Sequence, residues 1–334
     1  MKNEIDFVQL WVDGSDKEWL LEKSKYQPGL DVDASARRYR SWDNLQYWFR
    51  GVEKFAPWVR KVHFVTCGHY PAWLNKEHPK LNLVKHSDFI PSQYLPTFNS
   101  SPIVLNVHRI KGLLDTFVLF NDDSFILKPL KKTDFFKDNL PRDRGIIQLL
   151  YATTEFSYIL FNNMYIINKH FNKIECIRKH WSKWFNYHYG VKNIIKNMIL
   201  SYVGQKKDLT GIQNIHLPLP YKIESINNIW KTESDLLDKA SKNKFRCKKD
   251  LSDWLFRYWR VMQGQFHPGP CLGKNFGIEN NEKKNILIYN TIKKQKYKLI
   301  SVNDVDNDIA FEHEKQKLKE ALEYILPDKS GFEL

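Results

Sequence analysis

Short apolar runs recur along the first part of the chain, and each ends in polar or acidic residues. Positions 5–12, 62–66, 81–84 and 117–120 are rich in β-branched and aromatic side chains, which predicts buried strands, with a further strand at 146–150. Between them Leu45, Trp48, Val52 and Phe55 recur at helical spacing. This predicts a helix over 41–55 that Pro57 stops, and a second helix is expected near 104–114. Strands alternating with helices imply βαβ units, so 1–150 reads as an α/β, Rossmann-like core: a mostly parallel sheet with helices on both faces. The stretch 151–270 reads as mainly helical, basic and aromatic, punctuated by Pro218 and Pro220. In 271–334, a loop over 267–281 leads to strands at 285–289 and 297–302 and an amphipathic helix at 312–325. The acidic segment 303–308 is expected to return to the first sheet.

Where the predicted strands end matters more than where they begin. The run Phe117-Val118-Leu119-Phe120 leads directly into Asn121-Asp122-Asp123, which delivers two adjacent carboxylates to the carboxyl edge of the sheet. In open α/β sheets that edge is where ligands bind. Two carboxylates held together repel unless a cation lies between them, and a hard divalent ion with oxygen ligands is the usual partner. An ordinary Asn-Asp turn is the alternative. The first strand also ends in acids, in Asp13-Gly14-Ser15-Asp16. Gly14 allows close backbone approach, and Asp13 and Asp16 could hold a ribose hydroxyl, a metal or its water. Asp16 could instead only cap a helix. Two acidic strand ends in one domain make a shared site the stronger expectation.

The chain of 334 residues carries 42% apolar residues, enough for one large core or two modest ones. Its cysteines (Cys67, Cys176, Cys247, Cys271) show no paired spacing, so neither a zinc site nor a disulfide framework is expected, and free thiols suit a reducing cytoplasm. Met1-Lys2-Asn3-Glu4 runs straight into the first strand and no 18-residue apolar run occurs, which reads as a soluble protein, peripheral at most. The net charge of +14 is concentrated: residues 161–200 hold seven Lys/Arg and one acid among Trp181, Trp184, Phe185, Tyr187 and Tyr189. A phosphodiester polymer or an anionic membrane surface suits that charge. Nucleic acid is the weakest partner, since no motif for it is visible. Residues 191–200 have helical apolar spacing with lysines opposite, the pattern of an interfacial helix or of a helix with a solvated lysine face.

Ile5-Asp6-Phe7 through Trp11-Val12-Asp13-Gly14-Ser15-Asp16 resembles the opening block of the Stealth family. These are bacterial capsule and cell-surface polysaccharide sugar-phosphate transferases, related to the lysosomal N-acetylglucosamine-1-phosphotransferase. A second block resembles Arg38-Tyr39-Arg40-Ser41-Trp42-Asp43-Asn44-Leu45, Pro71-Ala72-Trp73-Leu74, Tyr94 to Ser100, His108-Arg109-Ile110 and Phe120-Asn121-Asp122-Asp123. Looser third and fourth blocks cover His216-Leu217-Pro218, Phe245-Arg246 with Asp250, Val302-Asn303-Asp304 and Leu326 to Glu333. The chain departs from the family at Ser101-Pro102-Ile103-Val104, where a His, an Ala and a nearby Glu are usual, and at Asn44, where an acid is common.

The resemblance implies a GT-A-like nucleotide-sugar-binding core and a definite reaction. An acceptor hydroxyl attacks the β-phosphorus of a UDP-sugar, UMP leaves, and sugar-1-phosphate is joined to a glycan that is possibly lipid-linked. It implies Mg²⁺ or Mn²⁺ on Asp122 and Asp123 with Asp16 as a further ligand, and His216 as general base or charge stabiliser. Arg246 with Arg38 or Arg40 would hold phosphate. Asp13, Gly14, Ser15, Asn99, Ser100, His108, Arg109, Asn121, Asp250, Asn303 and Asp304 are the remaining substrate-binding candidates. The implied setting is cytoplasmic, at or near the inner membrane face and the capsule assembly machinery. Two rivals remain: a GT-A glycosyltransferase that releases UDP, and a non-catalytic glycan- or polyanion-binding protein.

Overall fold

The structure, a computed structural model, describes residues 4–26, 32–33, 39–203, 207–304 and 310–334. The strands used below are β1 (Asp6–Leu10), β2 (Val62–Thr66), β3 (Leu81–Lys85), β4 (Thr116–Phe120), β5 (Ser124–Ile126), β6 (Leu219–Lys222), β7 (Gly273–Ile278) and β8 (Leu299–Asp304). The helices are α1 (Lys17–Ser24), α2 (Leu45–Phe55), α3 (Ser100–Asn106), α4 (Glu155–His170), α5 (Val191–Tyr202), α6 (Trp254–Met262), α7 (Glu282–Lys293) and α8 (Phe311–Ile325). Five strands form the central sheet in the order β3-β2-β1-β4-β6, parallel except for the last, which runs antiparallel to β4.

Successive strand residues point to opposite faces, and both faces are apolar here. Phe7, Phe64, Val118 and Phe120 enter one core, with Trp48, Phe49 and Val52 of α2. Val8, Val65, Phe117 and Leu119 enter a second, with Val104 and Leu105 of α3 and Leu255 and Tyr258 of α6. This two-sided burial is what allows a parallel sheet, and it bears out the α/β class with helices on both faces. Because α2 and α3 lie on opposite faces, the strand order reverses between β1 and β4, which opens a crevice at their carboxyl ends.

Several local expectations are corrected. Residues 146–150 form no strand: Ile147 makes one isolated bridge, to Ile212, and its N–H goes to the Asn197 side chain. The helix expected at 104–114 lies earlier, at α3. Asn99 caps it by accepting from the Ser101 N–H, and a short 3₁₀ turn follows at Val107–Arg109. The run at 285–289 is helical, not extended. Asn281 caps α7, and Ile288, Tyr289 and Ile292 form its buried face while Ile286 and Leu287 are exposed. Four consecutive apolar residues fit a buried strand and a helix equally, and the cap decides. The supposed loop 267–281 contains β7, which pairs with β8. β8 joins a separate three-stranded sheet with β7 and β5, so Asn303-Asp304 does not return to the central one. The rest of that acidic segment, and Arg38, fall outside the described residues.

At the amino edge, the fully buried Asp6 accepts from Arg60 Nε (2.9 Å) and the Leu114 N–H (3.0 Å), and pairs with His63 Nε2 (3.1 Å). Burial alone would raise its pKa, but the His63, Arg60 and Leu114 hydrogen bonds outweigh burial and hold it below the ordinary value. A folded-state pKa lower than the unfolded one contributes stability above the unfolded value of about 3.9, and that contribution is lost as the pH falls through the folded value. Urea unfolding of wild type and Asp6→Asn is therefore expected to differ most near neutrality, with the gap closing below about pH 4. A gap that is flat or widens on acidification would contradict this account.

Candidate active site

β4 ends at Phe120, and the chain turns at once. The Ser124 N–H donates to the Asn121 carbonyl (3.2 Å), closing a turn that carries Asp122 and Asp123 into the crevice before β5 begins. Asp122 is open to solvent yet crowded by protein, the combination a cleft produces. Burial and the neighbouring Asp123 push its carboxyl up to about 6.

His216 is brought here by pairing. β6 runs antiparallel to β4 with Leu219 beside Leu119, so continuing that register backwards from Leu219 sets His216 opposite Asp122. Its Nε2 lies 2.9 Å from Asp123 Oδ2. The negative charge of Asp123 raises the His216 pKa against the opposing effect of burial, with smaller contributions from Asp253 and Asp122. Asp253, raised by burial, accepts the Tyr221 hydroxyl at 2.7 Å.

Three carboxylates thus influence one imidazole. β8 supplies the next group. Its pairing with β5 carries on past Ser301 and Ser124, so the Val302 N–H donates to the Asp123 carbonyl (2.8 Å) and Asn303 falls opposite Asp122. Asn303 Oδ1 is buried and without a partner. Asp122, Asp123 and this amide oxygen form a hard, all-oxygen donor set that suits Mg²⁺ or Mn²⁺. Among the described residues no three His, Cys, Asp or Glu side chains gather as a metal site. The remaining positions on an ion would fall to water and substrate phosphates, as is usual for Mg²⁺.

The N-terminal loop sits at the same edge, beyond β1. Asp13 Oδ1 accepts from the Ser15 N–H (2.9 Å) and hydroxyl (2.6 Å), and Asp16 caps α1 by accepting from the Trp19 N–H (2.7 Å). The capping reading of Asp16 therefore holds locally. A Cβ on Gly14 would lie 1.9 Å from the Tyr39 carbonyl, so that glycine is required for backbone approach. His69, which the sequence reading missed, holds this loop: its Nε2 accepts from the Asp13 N–H (2.8 Å), and its Nδ1 lies 3.8 Å from Asp16. A small cluster of Trp19, Phe98 and Phe245, with Tyr39 packed against it, ties α1 to the segments carrying Ser100 and Arg246. Arg246 Nη2 donates to Ser100 Oγ (3.0 Å) there, and the Arg40 guanidinium lies 3.9 Å over the Phe311 ring.

Other candidates are placed differently. Asn99 and Asp250 are buried and bonded to each other (2.8 Å). Asp250 also accepts from Asn243 Nδ2 and the Cys247 N–H, so both brace the loop behind Arg246 instead of facing a ligand. His108 and Arg109 lie against Trp230, a few residues before the Leu114 that binds Asp6 at the opposite, amino edge. Burial and Arg109 push His108 down to about 3, so it stays neutral in a structural position. Asn303 lies within β8, as does the backbone of Asp304.

The larger omission is the support of His216. Asp143 is bonded by two buried arginines of α6. Arg257 Nε reaches Asp143 Oδ1 (2.9 Å) while its Nη1 reaches the Gln213 carbonyl (2.9 Å) and Asn214 Oδ1 (3.0 Å). Arg260 takes the other Asp143 oxygen and the Pro220 carbonyl. In the sequence these arginines sit inside an aromatic run that reads as core, and only their helical spacing of three hinted at one shared partner.

Residues 3–31 match Stealth protein CR1, conserved region 1, and residues 38–143 match Stealth protein CR2, conserved region 2. A capsular polysaccharide phosphotransferase WcwK of Streptococcus pneumoniae is 42% identical over 340 residues, covering 100% of this chain and 99% of the relative. The receptor polysaccharide phosphotransferase WefC of Streptococcus gordonii is 36% identical, with 100% of each chain covered. The exopolysaccharide phosphotransferase cps2G of Lactiplantibacillus plantarum is 35% identical, over 99% of this chain and 96% of the relative. Among solved structures, the apo WbbM bifunctional glycosyltransferase aligns over 98% of this chain and 52% of its own, with TM-score 0.38 and 9% identity, too distant to bear on function.

Proposed function

The chain belongs to the Stealth family and is a phosphotransferase, and from that premise we propose that it transfers a hexose-1-phosphate or N-acetylhexosamine-1-phosphate from a UDP-sugar to a hydroxyl of a cell-surface glycan. The acceptor oxygen forms a bond to the β-phosphorus, the bond from that phosphorus to the bridging oxygen breaks, and UMP leaves. The observation that carries the reading is the His216–Asp123 pair, 2.9 Å apart at the carboxyl end of β4.

In its neutral form His216 takes the acceptor proton as the new bond forms, and Asp123 holds the ring and stabilises the imidazolium. The loop of Asp13, Gly14 and Ser15 borders the same crevice and suits the nucleoside. Arg246, beside Ser100, is a fork for phosphate oxygens. Asp122, Asp123 and Asn303 would hold Mg²⁺ or Mn²⁺, which when bound offsets the charge of the pyrophosphate. The acceptor is a glycan oligosaccharide, lipid-linked during assembly.

The test is nucleotide release from a panel of UDP-sugars with and without oligosaccharide acceptor. UMP that depends on acceptor and disappears with EDTA, returning with Mg²⁺, is the expected outcome. UDP as product would move the chain to the glycosyltransferases. Turnover unaffected by EDTA would remove the cation from the donor set.

A further inference from the structure

Helix α5 leaves its most apolar side open. Its inward face is mixed: Asn197 is fully buried, its Nδ2 donating to the Gly145 and Trp184 carbonyls (2.7 and 2.6 Å) and its Oδ1 accepting the Ile147 N–H (2.7 Å), with Ser201 beside it, while Leu200 packs on the second core and Ile194 is half-buried. Its outward face is apolar: Val191 (73% exposed), Ile195 (50%), Met198 (54%), Ile199 (60%) and Tyr202 (88%). Solvated surface helices show the opposite arrangement. Of the two alternatives drawn from the lysine spacing, a helix with only a solvated lysine face does not account for an apolar side left open.

Further apolar surface is exposed close by in the chain. The segment whose Ile147 amide Asn197 holds continues into Leu149 and Leu150, which with Phe161 and Tyr165 of α4 line an open apolar groove of about 410 Å³. Trp181 and Tyr187 are also exposed nearby in the chain, aromatics of the kind that settle at a membrane–water boundary. Lys192 and Lys196 flank the apolar face, Arg144 stands near Lys196, and α5 carries no acid.

We propose that this face is a docking surface for an anionic lipid bilayer, with the apolar residues of α5 entering the interface and its lysines meeting lipid headgroups. The charge selects this occupant. Exposed apolar area suits either a membrane or a second copy of the chain, but a self-complementary contact would set Lys192 and Lys196 near their own images in a protein of net charge +14. Anionic headgroups attract the same lysines. Among the described residues no helix is long and apolar enough to cross a membrane, so the contact lies along the surface.

The test is co-sedimentation of the full chain with phosphatidylcholine vesicles, with and without phosphatidylglycerol. Binding to the mixed vesicles, at least about tenfold tighter than to the neutral ones, is expected. Ile195→Glu with Ile199→Glu should abolish it at unchanged Tm. Lys192→Glu with Lys196→Glu should weaken it about tenfold and flatten its salt dependence, which keeps the test valid if the first variant folds poorly. Wild-type protein that stays in the supernatant with anionic vesicles overturns the proposal, as does a well-folded isoleucine variant that binds undiminished. A wild-type dimer in light scattering that the isoleucine variant converts to monomer assigns the face to a second copy instead.

Discussion

His216→Gln is expected to lower the kcat of acceptor-dependent nucleotide release by about 10²- to 10⁴-fold, the usual contribution of a positioned general base. Glutamine keeps roughly the size and a hydrogen-bonding end but cannot take a proton near neutrality. Because the imidazole meets Asp123 and no group assigned to the donor, donor KM should change little, so the loss lies in kcat. Asp123→Asn should produce a loss at least as large, since it removes both the charge that holds His216 and a ligand of the proposed ion. The two act as a pair at 2.9 Å, so the double variant should be scarcely worse than Asp123→Asn alone. Steady-state kinetics on the three variants decides it. A His216→Gln loss under tenfold would remove His216 from the chemistry, and strictly multiplicative losses would mean that the two residues act independently.

The largest effect on stability is expected at Asp143. Its side chain is 4% exposed and lies between Arg257 and Arg260, which are 5% and 2% exposed. Two guanidiniums hold its carboxylate below the ordinary range despite the cost of burial. Asp143→Asn leaves two buried cations without a counter-charge, and breaking such a pair costs about 3–5 kcal/mol, because desolvation is no longer offset. Urea unfolding should show that loss, with Tm down by roughly 4–7 °C. Arg257 also grips Gln213 and Asn214, three and two residues before His216, so kcat should fall well below the melting transition too. An exposed pair such as Lys317–Glu320 offers the contrast: Lys317→Ala should leave the urea midpoint essentially unchanged. A loss under about 1 kcal/mol at Asp143 would mean that the cluster relaxes onto water.

What was readable in the chain was whatever depends on near neighbours. The β-rich runs of β1, β2, β3 and β4, the α2 stripe of Leu45, Trp48, Val52 and Phe55, and the acids at two strand ends follow from local preference and periodicity. These were enough for the α/β class, and the ordered blocks pointed to the family. The failures share a cause. Residues 285–289 and 146–150 were apolar runs without a diagnostic period, and their conformation was decided by a cap at Asn281 and by the side chain of Asn197, fifty residues away. His69 and Asp253 carry no spacing that marks them, and the spacing of Arg257 and Arg260 does not name Asp143, because their partners lie on other elements.

By itself the sequence determined which residues could do chemistry: two carboxylates after a buried strand, a histidine before Leu217-Pro218, and an excess of lysine in one region. Tertiary structure decided which of them meet. The antiparallel register of β6 against β4 sets His216 beside Asp123, and that of β8 against β5 sets Asn303 opposite Asp122, whereas Asn99 and Asp250 close on each other. It also decided which face of α5 looks outward. A periodic pattern specifies that a helix has two faces, but only the surrounding backbone, with carbonyls and an amide that Asn197 alone satisfies, determines which face is buried.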